Sequence, residues 1–437
     1  MRQAIVFLLS LCLFILPGLL VIDLTLAPAA CAQEAKDYRY YSEQAIKAYE
    51  AKNYSAYLEN MKMAHKLRPD HPRVIYNLAS AHALNGNKAE ALALLMRIAE
   101  MGLIYAPNKD SDFDSIKESD EFKAVLKKFE SNRAPVNRSA TAFTINQKGL
   151  ITEGIAYDPA KETFYVSSVH QRKILSIGKD GAVRDFATES DGLWSVLGMK
   201  VDAARRHLWV TTAAIPQMMN YSAEDNGRSA VFKFDLVTGK LLKKYALPGK
   251  PEKHMLGDLV VNSRGDVFTT DSLTPILYMI DHRRDELEVF MSGEPFVSAQ
   301  GLDFSEDEKQ LFVADYSRGI FVIDLRTKKY FSLAPAPGST LLGIDGLYFY
   351  RHSLIATQNG TNPNRIIRLH LDRSAKAVER LEILEVNNPL FDEPTLGVRV
   401  RDTFYYVANS QWGTVNDKGQ LAPAEKLREP LILKVKL

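Results

Sequence analysis

The amino-acid sequence predicts a mainly β protein, a six-bladed β-propeller preceded by a short α-helical domain. The first observation is length, since 437 residues is about three times the ~150 residues typical of one domain. The second is a unit of short apolar strands that recurs six times after about residue 140, every 43 to 60 residues. The third is a change of hydrophobic period, because residues 37–130 show the spacing of amphipathic helices.

Composition and charge exclude several classes of protein. Hydrophobic residues make up 46% of the chain and charged residues 25%, which is typical of a globular protein rather than a disordered or polytopic membrane protein. The 55 basic and 53 acidic residues nearly cancel, and no run of Lys and Arg suits a phosphate backbone, so no nucleic-acid partner is expected. Two cysteines, Cys12 and Cys31, are too few for a disulfide framework or a cysteine-rich metal site.

The N-terminus has the pattern of an export signal. An uncharged run covers Ala4 to Ile22 and small residues follow it, which predicts a signal peptide over residues 1–32. A lipidated Cys31 is an alternative, although Pro28 stands where a lipoprotein signal usually has Leu. An uncleaved spanning helix is a second alternative, which Asp23 disfavours. We therefore expect a periplasmic or secreted protein with no membrane span after cleavage.

The helical domain, residues 37–130, contains two segments that superimpose at an offset of 34 residues. Ala45 then falls on Ala79, and Ala64 on Ile98. The stretch over residues 77–92 resembles the tetratricopeptide repeat, and the alternative is an unrelated pair of helical hairpins. Two repeats are fewer than a free-standing solenoid needs, so we expect this domain to pack on the next one. A polar linker is predicted over residues 131–139.

The propeller is predicted over residues 140–437. Each repeat begins with an apolar strand, and a second strand ends 13 to 15 residues after the repeat starts. The six starts are Glu153, Leu197, Gly257, Gln300, Asp345 and Pro394, and the second strands end at Ser168, Thr212, Asp271, Asp315, Gln358 and Asn409. The segment from Thr141 to Ile145 would supply the outer strand that closes the ring. A seven-bladed ring is the alternative, but it needs a unit that the sequence does not display.

In a propeller, the six repeat starts come to one height around the central axis. Glu153, Gln300 and Asp345 would then converge with no basic residue in their column, and two carboxylates repel each other unless a cation lies between them. Hard oxygen donors favour Ca²⁺, with Mg²⁺ or Mn²⁺ as less favoured ions. The alternative is that Glu153 and Asp345 are solvated channel residues. The polar ends of the second strands are expected to bond to backbone groups of the following turns.

Three motifs resemble one family of propellers. They begin at Glu153 and Gly154, at Gln300 and Gly301, and at residues 345–347. These motifs are similar to the senescence-marker protein, gluconolactonase and luciferin-regenerating family, whose members are calcium-dependent six-bladed propellers. The resemblance implies metal ligands at Glu153 and Asp345 and, with Gln in place of Asn, at Gln300. Gly257 stands where the family has a further Asn, so water or Asp258 would have to fill that position.

The resemblance also implies a reaction. A cation at the channel mouth would polarise the carbonyl of a small ester or lactone, and Asp345 would be the general base. His254, three residues before Gly257, is a second catalytic candidate, and a lone surface histidine is the alternative for it. Trp194, Tyr221 and Trp412 would form pocket walls or pack between blades. Two functions stay open: a metal-dependent hydrolase of lactonase or arylesterase type, and a non-catalytic assembly protein that binds a protein partner through its helical repeats.

Overall fold

The computed structural model describes residues 37–249 and 252–437. The predicted signal peptide over residues 1–32 lies outside the described residues. Within the described residues, no helix has the length and apolar character that crossing a bilayer requires. The N-terminal part is helical and the rest is built of strands, which confirms the predicted fold class.

Five helices form the N-terminal domain, and the first four pair as two hairpins that pack in sequence. The 34-residue offset superimposes Ala45 on Ala79 and Ala64 on Ile98, and all four residues are fully buried. The small alanine side chains allow the helices to pack closely. Both the repeat interpretation and the unrelated hairpins predict this arrangement. The helices are α1 (Tyr38–Glu50), α2 (Tyr54–Leu67), α3 (Pro72–Leu84), α4 (Lys88–Glu100) and α5 (Asp120–Ser131), and 3₁₀ turns cover Pro107–Lys109, Ser111–Phe113, Glu189–Asp191, Trp412–Thr414 and Ala424–Lys426.

Six antiparallel sheets follow, one for each predicted blade, which confirms six blades. Strands β1 (Val136–Asn137) and β2 (Ala140–Thr144) precede the first blade. From the axis outward, the blades are β3 (Ile155–Asp158), β4 (Thr163–Ser168), β5 (Lys173–Ile177) and β6 (Val183–Ala187); β7 (Ser195–Asp202), β8 (His207–Ala213), β9 (Ser229–Asp235) and β10 (Leu241–Leu247); β11 (Leu256–Val261), β12 (Val267–Asp271), β13 (Ile276–Ile280) and β14 (Leu287–Ser292); β15 (Ala299–Phe304), β16 (Gln310–Asp315), β17 (Gly319–Asp324) and β18 (Tyr330–Ser332); β19 (Ile344–Phe349), β20 (Ser353–Gln358), β21 (Arg365–Leu371) and β22 (Val378–Val386); and β23 (Gly397–Val400), β24 (Thr403–Val407) and β25 (Leu431–Lys436).

The ring closes through the N-terminal strand, as the sequence predicts. Strand β2 pairs antiparallel with β25 and completes the sixth blade, with Ala140 opposite Lys434 and Thr144 opposite Leu431. Strand β1 extends the fifth blade by pairing with β22. The two ends of the propeller domain therefore hold each other, which covers edges that would otherwise be exposed.

Aromatic rings fill the spaces between neighbouring blades. Phe268 of the third blade meets Phe304 of the fourth with ring centroids 5.6 Å apart, and Tyr348 of the fifth meets Phe404 of the sixth at 4.9 Å. Phe404 is fully buried. The facing sides of neighbouring blades bury each other, so the ring is stabilised by packing between blades.

The helical domain docks on the loops of the fourth and fifth blades, which confirms that it packs on the domain that follows it. The backbone N–H of Ile104 donates to the carbonyl of Asn362 at 2.7 Å, and the Asn362 amide donates back to Ile104 at 3.0 Å. The buried Arg365 donates to the carbonyl of Met101 at 3.0 Å. Since Asn362 follows β20 at the end of the ring where the axial residues begin, the helices lie beside the mouth of the predicted site.

Candidate functional site at the propeller axis

The innermost strands bring the predicted axial residues together around one small cavity of about 70 Å³. In four of these strands the pairing register shifts at the axial position, as at Ala299 to Leu302 and Ile344 to Leu347. Such a bulge turns the axial residue out of the regular ladder. The cavity is lined by Glu153, Leu197, Met255, Gly257, Asp258, Ser272, Gln300, Asp345, Leu396 and Trp412.

The residue at the sixth axial position is not the one that the sequence predicts. Pro394 was predicted there, but Leu396 lines the cavity instead. In most blades the axial residue is followed by a glycine, because a Cβ at Gly154 would lie 2.3 Å from the carbonyl oxygen of Leu197, and one at Gly301 would lie 2.4 Å from that of Asp345. Gly397 is the corresponding residue of the sixth blade, which makes Leu396 its axial residue.

The third blade reverses this order, with Gly257 at the axial position and Asp258 after it. A Cβ at Gly257 would lie 2.8 Å from the Ser272 hydroxyl oxygen, so that hydroxyl occupies the space where a longer axial side chain would begin. Asp258 is only 7% exposed, and one of its oxygens accepts from the backbone N–H of Leu259 at 2.8 Å. The third blade thus contributes a carboxylate to the cavity from the neighbouring position.

Glu153 and Asp345 each have one fixed neighbour. The indole N–H of Trp412 donates to Glu153 Oε2 at 2.7 Å, and the Asn359 amide donates to Asp345 Oδ2 at 2.8 Å. Burial, and then the charge of Asp345, raise the pKa of Glu153 well above its usual range. Burial raises the pKa of Asp345 to about 6, against the hydrogen bond from Asn359.

Asp258 and Gln300 complete the polar lining. Burial raises the pKa of Asp258 to about 7, although the charge of Lys200 opposes this rise. Gln300 Oε1 accepts from the Ser272 hydroxyl at 3.2 Å, while its amide nitrogen donates to the Ser298 hydroxyl at 3.0 Å. The amide oxygen is therefore oriented toward the third blade, on the side of the cavity that Asp258 also lines.

His254 does not line the cavity. It is 6% exposed, and its Nδ1 lies within hydrogen-bond distance of Asp271 Oδ2, at 2.7 Å. Asp271 also accepts from the backbone N–H of Met255, which holds the start of β11. His254 is thus a buried residue that supports the strand, which neither sequence interpretation expected. Asp271 and Asp315 bond to backbone groups of the following turns, as predicted, whereas Asn409 accepts from the backbone N–H of Leu431 at the start of β25.

A cap closes the cavity above the carboxylates. Trp412 and Val415 belong to the long loop between β24 and β25, and they pack with Met255, Leu197 and Ile215. Three aromatic residues were expected either to form pocket walls or to pack between blades, and of these Trp412 lines the cavity. Trp194 and Tyr221 pack instead in the core between the first two blades.

The donor set fits a hard divalent cation. The lining offers carboxylates at Glu153, Asp258 and Asp345 and an amide oxygen at Gln300, and it includes no basic side chain. The oxygens of these three carboxylates do not all lie within 4.8 Å of one another. Ca²⁺ takes six to eight oxygen ligands in a flexible geometry and accepts water among them, so this spacing leaves positions that water would fill.

A tighter group of titratable residues occurs elsewhere in the third blade. Of the part of the chain that the structure describes, Asp266, Asp281 and His282 have ligand atoms within 4.8 Å of one another. The Asp266 carboxylate already has two partners within the blade, since His282 Nδ1 lies 2.6 Å from it and Arg264 Nη2 lies 2.9 Å from it. This group is therefore an internally satisfied turn.

Comparisons with known proteins give distant structural similarity. No family model matches the chain, and no curated protein matches it. Among solved structures, a gluconolactonase from Xanthomonas campestris is 15% identical, with 69% of this chain and 96% of that chain covered and a TM-score of 0.47. A luciferin-regenerating enzyme is 14% identical, with 70% and 96% covered and a TM-score of 0.47. Virginiamycin B lyase from Staphylococcus aureus is 14% identical, with 67% and 83% covered and a TM-score of 0.45. At these values none of the three assigns an activity to the chain.

Proposed function

We propose that this protein is an exported hydrolase that depends on a divalent cation, Ca²⁺, and acts on a small ester or lactone at the propeller axis. The observation that carries the proposal is the convergence of Glu153, Asp258, Gln300 and Asp345 on one buried cavity without a basic residue. The carboxylates of Glu153 and Asp258 are buried and that of Asp345 is partly buried, so their charges are costly without a counter-ion, and a bound cation would remove that cost.

Glu153, Gln300 and Asp345 would hold the cation, and Asp258 would fill the position that Gly257 leaves empty. When bound, the cation supplies Lewis-acid polarisation of the substrate carbonyl. Existing hydrogen bonds prepare the two axial carboxylates for this role. Trp412 donates to one oxygen of Glu153, and Asn359 donates to one oxygen of Asp345. Neither donor engages the second oxygen of its carboxylate.

Asp345 would accept the proton of the attacking water. Its Oδ2 is held by Asn359, so Oδ1 would face both the cation and the attacking water. Burial raises the pKa of Asp345 to about 6 in the metal-free protein, and a bound cation would lower it, so the carboxylate would be ionised and able to accept a proton at neutral pH. His254 takes no part, since it lies outside the cavity and is engaged by Asp271.

Substrate access requires movement of the cap. A cavity of about 70 Å³ holds water or an ion, whereas pockets for drug-sized ligands span about 300–1,000 Å³. Trp412 lines the cavity and belongs to the loop that also carries Val415, so the substrate carbonyl would enter as this loop opens.

The test uses the chain without residues 1–32, assayed on a panel of lactones and aryl esters with CaCl₂ or with a chelator. We expect hydrolysis that the chelator abolishes and that Asp345→Ala reduces at least about 100-fold, as loss of a general base does. Glu379→Gln, at an exposed carboxylate on the outer strand β22, is the matched control and should retain activity. Hydrolysis that survives both chelation and Asp345→Ala would refute the proposal. Sequencing the native protein tests export, with an N-terminus at Gln33 as the expected result.

A non-catalytic assembly role is the second candidate, and exposed apolar residues of the helical domain favour it. Ile46 is 53% exposed and Leu67 is 45% exposed. Such residues on a helical pair suit a protein partner. We expect Ile46→Glu combined with Leu67→Glu to abolish co-purification of an envelope partner while the thermal stability is unchanged. An unchanged set of co-purified proteins would contradict this role.

A further inference from the structure

A second cavity lies at the opposite end of the propeller axis. It has a volume of about 1,210 Å³, and the turns between the first two strands of the blades form its rim. Its floor contains residues three positions after the axial ones, including Lys200, Asp303, Tyr348 and Arg399. This basin shares no lining residue with the axial cavity.

Arginine side chains gather around Tyr350 at one wall of the basin, which is lined by Arg351, Arg399 and Arg401 but not by Arg368. The guanidinium carbons of Arg351 and Arg368 each lie 5.0 Å from the centre of the Tyr350 ring, and that of Arg399 lies 5.5 Å from it. Arg399 also donates to the backbone carbonyl of Arg401 at 3.1 Å, which keeps a fourth arginine next to the group. We call these four residues the arginine cluster.

One carboxylate partly balances the arginine cluster. Asp402 accepts from Arg351 at 3.2 Å and from the Tyr350 hydroxyl at 2.9 Å. In the part of the chain that the structure describes, Arg399 and Arg401 have no carboxylate oxygen within 4 Å, and neither do Lys200 and Lys436, which also line the basin. Like charges held this close repel each other unless an anion lies between them.

The acidic residues of the basin lie mainly on other blades. Asp303, Glu306 and Glu308 belong to the fourth blade, and Glu162 of the first blade is paired with Lys179 at 2.7 Å. An extended polyanion across the basin would meet this acidic wall and be repelled. A small molecule with its anionic group at one end avoids the acidic wall, and hydroxyl groups at its other end would find acceptors there.

We propose that the basin binds a small molecule through a phosphate or carboxylate group, which the arginine cluster holds. Arginine donors form charge-assisted and bidentate hydrogen bonds with both kinds of oxyanion. The Tyr350 ring lies in the same lining and orients the guanidinium groups by stacking. The hydrolase proposal does not depend on this site, nor does this site depend on it.

Titration calorimetry at low ionic strength tests the proposal, with inorganic phosphate and malonate as separate probes. We expect roughly millimolar binding of at least one probe, and the stronger of the two identifies the group. Arg351→Gln with Arg399→Gln should weaken binding at least about tenfold, since both charge-assisted donors are lost. Asp402→Asn should tighten binding, because it removes the carboxylate that competes with the ligand.

Arg326→Gln, at an exposed arginine outside the basin, is the control and should bind as the wild type does. No binding of either probe at 50 mM, or equal binding by the double variant and the wild type, would overturn the proposal. Binding of heparin alone would also overturn it, since this would indicate a patch for polyanions. The Asp402→Asn result keeps the test valid even if the double variant folds poorly.

Discussion

The indole N–H of Trp412 donates to Glu153 Oε2 at 2.7 Å, although the two residues are 259 positions apart. Glu153 begins the first blade, and Trp412 lies in the loop between the last two strands of the sixth. The bond therefore links the cap over the cavity to a carboxylate inside it. A change at Glu153 alters the environment of an indole, which makes the site observable by fluorescence.

Cation binding should change the emission of Trp412. We expect CaCl₂ to alter the intrinsic fluorescence of the wild type. A cation bound to the Glu153 carboxylate draws electron density from it and so weakens the hydrogen bond that Oε2 accepts from the Trp412 indole. Trp412→Phe should remove this change, whereas Trp194→Phe should keep it, since Trp194 lies in the core between the first two blades. A calcium-dependent change that persists without Trp412 would show that the ion binds elsewhere.

A second prediction concerns the empty position in the third blade. Gly257→Asn alone should not improve cation affinity, because its Cβ would lie 2.8 Å from the Ser272 hydroxyl. Combining it with Ser272→Ala frees that space and adds an amide oxygen, so we expect affinity to rise about tenfold in calorimetry. Ser272→Ala by itself is the control. Equal affinity of the double variant and this control would mean that Gly257 does not face the ion.

The raised pKa of Asp345 predicts how stability depends on pH in the metal-free protein. Burial raises this pKa from 3.8 to about 6, so between these values the folded state holds more protons than the unfolded state. The contribution to stability is complete below pH 3.8 and is lost as pH rises through about 6. In a chelator at pH 8, Asp345→Asn should therefore be more stable than wild type, on the order of 2 kcal/mol.

Urea unfolding at pH 4.5 and pH 8 measures this effect. The stabilisation by Asp345→Asn should shrink at the lower pH, where the wild-type carboxyl is largely protonated. Glu379→Gln, at an exposed carboxylate, should differ little from wild type at both values. A stabilisation that is equal at both pH values would show that charge is not its cause.

The sequence predicts the ring because the blades repeat, and a repeat places distant residues by symmetry. Glu153, Gln300 and Asp345 could therefore be assigned to one axis before any coordinates. The sixth blade is the weakest repeat, and there the assignment fell two residues early, on Pro394 rather than Leu396. The glycine after each axial residue is the signal that would have corrected it, and it also identifies Asp258 as the exception.

Contacts between parts that do not repeat could not be predicted. The bond from Trp412 to Glu153 depends on the path of a long loop, and that path has no periodicity. The position of His254 depends on its pairing with Asp271, which a count of residues from Gly257 does not reveal. The Arg365 contact with Met101 likewise joins two domains whose relative placement leaves no pattern in the sequence.

The last prediction concerns Arg365, which joins the helical domain to the propeller. Its side chain is fully buried, its Nε donates to Gln358 at 2.6 Å, its Nη1 donates to Met101, and its Nη2 has no partner. Burial lowers its pKa to about 10. Arg365→Ala removes both bonds and leaves a cavity, so we expect it to cost about 3 kcal/mol of stability.

Limited trypsin digestion detects the loosened interface, because Arg133 and Arg138 flank the segment between the last helix and the propeller. Arg365→Ala should accelerate cleavage there and release the propeller. Arg365→Met should be less affected, since it fills a similar volume without burying an unpaired N–H. If Arg365→Ala is cleaved at the wild-type rate and unfolds at the wild-type temperature, the mutual bonds of Ile104 and Asn362 are sufficient to hold the two domains together.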